Sequence, residues 1–390
     1  MTTEWDKQTF TECVHPIRVD RGKQVKAREY LSSGKYPVVD QGQGLVAGWT
    51  DSEAAVIRDG LPYVVFGDHT RLIKYVDFPF ALGADGTKLI KPKDDINPLY
   101  FYFHLLRLDI PSRGYSRHYG LLKEKAISLP PFPEQKKIAA VLLKIQKAIG
   151  MQEKIIQSLR DLKKSIMQHL FTHGLRGEKT KMTEIGEIPE SWNVLPMGQF
   201  LQIIMGHSPK GYDYNKDRRG LPLLNGPAEF TNKYPLPVQW TTSPTRIAKQ
   251  GDILFCVRGN TVARMNIADQ DYCIGRGLAA IRGLENISTT GYLYFVIQHH
   301  AERIYAFATA GGSTFPNFSK ADFDSLSVQK PNVNEQKDIA AALSSIDRKM
   351  EFHESKKSAL QDLFKITLNK LITGDIRVGD LDIDVKEVEG

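Results

Sequence analysis

Between residues 131 and 176 apolar side chains return at alternating steps of four and three. They are Ile138, Leu142, Ile145, Ile149, Ile156 and Leu159, with Gln152 at the same phase. That spacing is the seam of a long coiled-coil helix. It comes back between 331 and 376 with Ile339, Leu343, Ile346, Met350 and Leu360, where His353 and Lys357 keep the phase. Pro133 and Asn334 stand at the two starts and Gly174 and Gly374 near the two ends, as helix punctuation requires. At about 1.5 Å per residue, some forty residues make a rod of roughly 60 Å. Beyond Leu159 the apolar positions move to Leu162, Ile166 and Leu170, a phase change that predicts a stutter. Ahead of each helix the period differs. Short apolar runs at 63 to 66 and 252 to 255 read as strands, and 97 to 108 and 288 to 303 read as helices, so each globular stretch is expected to be α+β.

The two helices are copies of one another. PEQKKIAAVL at 133 to 142 becomes NEQKDIAAAL at 334 to 343, an offset of 201, and without gaps from 134 to 176 that offset keeps sixteen identities in forty-three positions. Among them are Ile145/Ile346, Leu159/Leu360, Leu162/Leu363, Leu170/Leu371 and Arg176/Arg377. The globular stretches are related more faintly: 80 to 83 matches 272 to 275, 100 to 103 matches 292 to 295, and Trp5 matches Trp192. The order is therefore globule, helix, globule, helix. The divisions are 1–130, 131–176, a linker 177–190, 191–330, 331–376 and a tail 377–390. A second helix that packs its seam on the first and returns runs antiparallel, which predicts a closed pseudo-twofold dumbbell with neighbouring chain ends.

Composition narrows the class. With 41% hydrophobic and 25% charged residues, 390 residues suit two or three ordinary globular domains. Cys13, Cys256 and Cys273 form no C-x-x-C pair and no even framework, so a disulfide scaffold and a structural zinc site are not expected and a reducing cytoplasm is. A polar, acidic start and the lack of an apolar run near eighteen residues predict neither signal peptide nor membrane span. The net charge of +7 is uneven: residues 131 to 180 carry ten basic and four acidic groups, whereas 331 to 390 carry nine and twelve. The basic excess on the first helix, including Lys136, Lys137, Lys144, Lys147, Lys163 and Lys164, is either a solvated face or a surface for phosphates or an acidic partner.

The duplicated P-x-x-E-Q-K-x-I-A helix start, with G-K-Y-P-V-V at 34 to 39, V-R-G-N-T at 257 to 261 and C-I-G-R-G-L-A-A-I at 273 to 281, resembles the DNA specificity subunit of type I restriction-modification systems. The resemblance runs from about Trp5 to Arg377. It implies two target-recognition domains that each read half of a split double-stranded DNA sequence, joined by two conserved helices that space them and bind two methyltransferase subunits. It also implies restriction (translocase-nuclease) subunits as partners, no catalysis or cofactor on this chain, and S-adenosylmethionine on the methyltransferase.

The remaining motifs bear on alternatives. Asn97-Pro98-Leu99-Tyr100 resembles the N-P-P-Y signature of adenine methyltransferases but lacks a proline, and Thr289-Thr290-Gly291 precede the matching Tyr292, so a helix start is expected. Gly42-Gln43-Gly44 lacks the βαβ context of a dinucleotide fingerprint, and no P-loop is present. A self-sufficient methyltransferase is thereby disfavoured; a coiled-coil scaffold with degenerate recognition domains and no DNA target is the other alternative. No histidine has metal-ligand spacing, and packing is expected for His299 and His300. Candidate DNA contacts combine guanidinium, amide, imidazole and aromatic groups suited to base edges and phosphates. They are Lys23, Lys26, Arg28, Arg113, Tyr115, Arg117 and His118 in the first globule, and His207, Lys210, Tyr212, Arg218, Arg219, Arg258, Asn260 and Asn317 in the second.

Overall fold

The computed structural model describes residues 5–19, 24–84, 86–114, 116–309 and 316–388. Four helices organise it: α1 (Pro98–Arg107), α2 (Phe132–His173), α3 (Thr290–His299) and α4 (Val333–Thr373). The chain divides into two compact units, Met1–Lys154 with Glu354–Gly390, and Ile155–His353. The cuts fall inside α2 and α4, so each unit contains half of both long helices.

The first unit has two four-stranded sheets. One runs in the order Val14–His15, Thr87–Pro92, Tyr63–Gly67, Ile73–Val76, and the other Gly48–Thr50, Tyr36–Val39, Phe80–Leu82, Val56–Ile57. All their pairings are antiparallel except that of Val38 with Ala81 and Val39 with Leu82. The second unit repeats this order. Leu201–Met205, Leu278–Gly283, Ile253–Cys256 and Met265–Ile267 form one sheet; Gln239–Thr241, Leu221–Leu224, Tyr272–Ile274 and Ile247–Ala248 form the other, with Tyr214–Asn215 added at the edge. The parallel pair recurs at Leu223 with Cys273. Within the linker 177–190, Thr180–Thr183 and Gly186–Pro189 pair as a hairpin.

The two residues that define each long-helix start have separate structural duties. Asn97 caps α1: its side chain accepts from the Tyr100 amide, and Pro98 fills the first turn where no amide is needed. The Asn97 amide then donates to Gln135 Oε1 (2.9 Å), while Gln135 Nε2 donates to the Pro130 carbonyl (3.0 Å). In the second unit Thr289 caps α3, its amide donates to Gln336 Oε1 (2.9 Å), and Gln336 Nε2 donates to the Pro331 carbonyl (3.0 Å). The glutamine thus fastens each long helix to its recognition fold. The glutamate before it receives the end of the other helix. Glu134 accepts from Arg377 Nε (2.9 Å) and Nη2 (2.8 Å), and Glu335 accepts from the Leu175 amide (3.4 Å). In both units the start of one long helix therefore meets the end of the other, the antiparallel arrangement expected.

The stutter is not there. Leu162 and Leu363 face solvent at 47% and 48% exposure, while Lys163 and Phe364 take the inward positions. The four-three alternation continues through Leu159, Lys163, Ile166 and Leu170 without a break. A lysine stem can fill a seam when its ammonium escapes to a partner; Lys163 Nζ lies 2.7 Å from Asp347 and 5.1 Å over the Phe295 ring. Ile138, Leu142, Ile339, Leu343 and Ile346 are buried, and Ile145, Ile149, Leu159, Met350 and Leu360 are half-buried. The tail is likewise no appendage: Val378 and Val388 belong to the first unit's core, with Ile383 and Val385 packed against it.

Candidate nucleic-acid interface

In the second unit four turns are tied together through their backbones. Gly206 donates to the Leu278 carbonyl (2.9 Å) and His207 to that of Ile274 (3.0 Å), laying the turn from 206 beside the one at 275 to 277. Val257 donates to the Gly277 carbonyl (3.0 Å), Gly259 to Pro316 (2.8 Å) and Phe318 to Val257 (2.8 Å), which adds the 257 to 261 turn and the segment from 316. Glycine is needed for this closeness, since a Cβ at position 206 would lie 2.7 Å from the Leu278 carbonyl. His207, Lys210, Arg258, Asn260, Arg276 and Asn317 are exposed on this framework, and Arg258 and Asn317 form a bridge pair within it.

The first unit builds the same framework. Val25 donates to Leu82 (3.0 Å), Asp68 to Gly86 (2.6 Å) and His118 to Asp68 (2.9 Å). These three bonds match those of His207, Val257 and Phe318, so Lys26 corresponds to Ser208, His69 to Arg258, and Arg117 to Asn317. Lys26, Arg28, Arg113 and Arg117 are exposed. Lys23 and Tyr115 lie outside the described residues. His118 is a correction: it corresponds to Phe318, and both are fully buried at 0%. Its ring closes on the Asp68 carbonyl oxygen through Nδ1 (2.9 Å) and accepts the Arg113 amide at Nε2 (3.1 Å), leaving nothing to offer a ligand.

The remaining candidates, Tyr212, Arg218 and Arg219, follow the turn from 206 in sequence. Lys210 Nζ lies 5.7 Å over the Tyr212 ring, and Arg218, in the left-handed region at φ 59°, sits 5.5 Å over Trp240. The Arg219 amide donates to Asn215 Oδ1 (3.0 Å) and its guanidinium to Asp217 (3.3 Å). The described contacts of Arg218 and Arg219 are thus with Asn215, Asp217 and Trp240.

Much of the basic face of the first helix serves the chain itself. Lys137 donates to the Gly379 carbonyl (2.6 Å), Lys147 pairs with Glu387 (2.9 Å), Lys163 pairs with Asp347, and Lys136 covers Phe132. The acidic partner left open by the charge pattern is, for Lys147, Glu387 of the chain's own tail. His299 packs on Phe171 with 4.6 Å between ring centroids, and burial lowers it to about 4; His300 bonds Gln329 (2.7 Å). Burial pushes the Cys13 thiol up to about 11 and Cys256 to about 12, so both stay protonated at neutral pH. Among the described residues no three or more His, Cys, Asp or Glu are grouped to hold a metal ion, and no helix is long and apolar enough to cross a membrane. What the interface offers is charge and hydrogen-bond donors and acceptors. Sequence reasoning missed Arg276, although its two flanking glycines mark a turn.

The type I restriction modification DNA specificity domain matches this chain twice, at residues 4–161 and 189–362. The chain is 39% identical over 313 residues to the MjaX type I restriction enzyme specificity subunit of Methanocaldococcus jannaschii, covering 77% of this chain and 73% of that protein. It is 27% identical over 332 residues to the MjaVIII specificity subunit of the same organism, covering 77% and 75%. In fold it resembles the type I S subunit from M. genitalium, with a TM-score of 0.68, 14% identity and coverage of 95% and 97%. The doubled framework and the doubled match agree: the chain belongs to the type I restriction modification DNA specificity family, as a non-catalytic subunit that binds DNA within a restriction-modification assembly.

Proposed function

We propose that each unit reads one half of a split double-stranded target and that two methyltransferase subunits dock on the long helices. The observation that carries this reading is one framework built twice with different side chains at matching places: exposed Arg117 for exposed Asn317, exposed Lys26 for half-buried Ser208, half-buried His69 for exposed Arg258. A shared framework places the domain on DNA, and changed side chains change the bases preferred. The two half-sites therefore differ. Exposed apolar positions, in contrast, recur. Met151 and Phe352 are 62% and 63% exposed, and Leu162 and Leu363 nearly equal each other, all at the repeat offset. A partner present in two copies needs the same chemistry twice. Adenine methylation from S-adenosylmethionine on that partner, restriction subunits in the same assembly and a cytoplasmic setting belong to the same proposal. Methylation mapping of DNA from cells expressing this chain with its methyltransferase tests the reading. The expected motif has two unlike blocks around a fixed unspecified gap; one contiguous block, or two identical ones, would overturn it.

A further inference from the structure

Arg276 stands on the shortest turn of the second unit's framework, between the strands Tyr272–Ile274 and Leu278–Gly283. Four backbone hydrogen bonds hold it in place. Gly275 donates to the Leu224 carbonyl (2.8 Å), Leu278 to Gly275 (3.0 Å) and Val257 to Gly277 (3.0 Å), while the Arg276 amide donates to Ser208 Oγ (3.2 Å). The flanking glycines press the turn against Asn225: a Cβ at 275 would collide with the Asn225 side chain, and one at 277 would lie 2.5 Å from the Asn225 carbonyl oxygen. The backbone is fixed, and the residue between the glycines is exposed.

We propose that Arg276 reads a guanine in the half-site of the second unit. The inference rests on the reading of that unit as a DNA-recognition domain and adds a residue and a base to it. Arg219, Arg282 and Arg377 are each drawn to a carboxylate, Asp217, Asp252 and Glu134. Among the described residues no carboxylate pairs with Arg276. A guanidinium presented from a rigid backbone, with its planar fork uncommitted, matches the O6 and N7 acceptors on the major-groove edge of guanine. Arg258 and Asn317, on the turns joined to it, are placed to share the same stretch of DNA. The first unit argues for base over backbone. Phosphates are alike along both half-sites, so a phosphate contact at this place would suit both units. At the corresponding place in the first unit the sequence between Gly83 and Gly86 is Ala84-Asp85, with no cation.

The test uses the full chain assembled with its methyltransferase subunits and a double-stranded DNA library randomised in two blocks, at two salt concentrations. Arg276→Ala should abolish preference for one G·C pair in the second unit's block only. It should reduce discrimination there about tenfold to a hundredfold and leave the first block's preferences unchanged. Arg276→Lys, which keeps the charge and loses the fork, should relax the same position. Equal weakening on all sequences with a shallower salt slope would make Arg276 a phosphate contact and overturn the proposal, as would unchanged preference. An unmutated assembly that prefers no sequence in either block would sink the recognition reading itself. Unchanged melting of both variants confirms that the comparison is of folded proteins.

Discussion

Glu134 and Glu335 occupy the same place in the repeat and bind different partners. Glu335 accepts the Trp192 indole N–H at 3.1 Å, whereas Glu134 gives both oxygens to Arg377, whose guanidinium lies 4.9 Å over the Trp5 ring. Hydrogen bonds from Arg377 hold the Glu134 carboxyl below the usual carboxylate range. Its stabilising share is therefore complete at neutral pH and is lost as pH falls through that lowered value. Glu134→Gln should lower stability at pH 7 by about 2 kcal/mol, the partial exposure of Arg377 keeping the loss below that of a fully buried pair. Urea unfolding at a series of pH values should show the gap between variant and parent closing in acid; a gap that stays constant would mean that the charge is not what matters. The pairing of Glu134 with Arg377 was not legible in the sequence, because it joins positions 243 apart. His118 shows the complementary limit. Between Arg117 and Tyr119 it has the composition of a binding loop, and only the match to Phe318 reveals a core position.

At the scale of elements, periodicity carried most of the information. The two long helices, their seam and their antiparallel pairing follow from spacing and duplication alone. The phase error past Leu159 came from treating leucine as inside and lysine as outside, although a lysine beside an aspartate can do the inside work. Two substitutions separate the assignments. Lys163→Ala should destabilise the protein by about 1 to 2 kcal/mol, losing both the packed stem and the Asp347 pair, and Leu162→Ala by less than about 0.5 kcal/mol. Leu162→Ala should instead weaken retention of methyltransferase subunits on an affinity column. A larger loss of stability at Leu162 than at Lys163, read by thermal melting, would restore the stutter. The sheets were less legible than the helices: strands of two to six residues carry too few positions for alternation to show, and their order emerges only from long-range pairing.

For the whole molecule, the uneven charge has a local explanation. The acidic tail and the basic start of α2 lie in the same unit, joined by Lys147 with Glu387 and by Lys137 with the Gly379 carbonyl. Trp5 and Val388 pack with one core, so the first unit holds both ends of the described chain. A circular permutant opened at the exposed Glu184 in the 180 to 189 hairpin, with the old ends joined by a Gly/Ser linker, should fold and support methylation. Failure to fold with several linker lengths would contradict this closure.

The division inside the long helices also sets an order of completion. The second unit is one uninterrupted segment, Ile155–His353, and can assemble as soon as it has left the ribosome. The first unit cannot, because Ile138 and Leu142 share their core with Leu368, Leu371 and Ile372. The domain made first is finished last, and a product truncated before the end of α4 leaves it with an open core, a target for degradation in place of an assembly that recognises half a site.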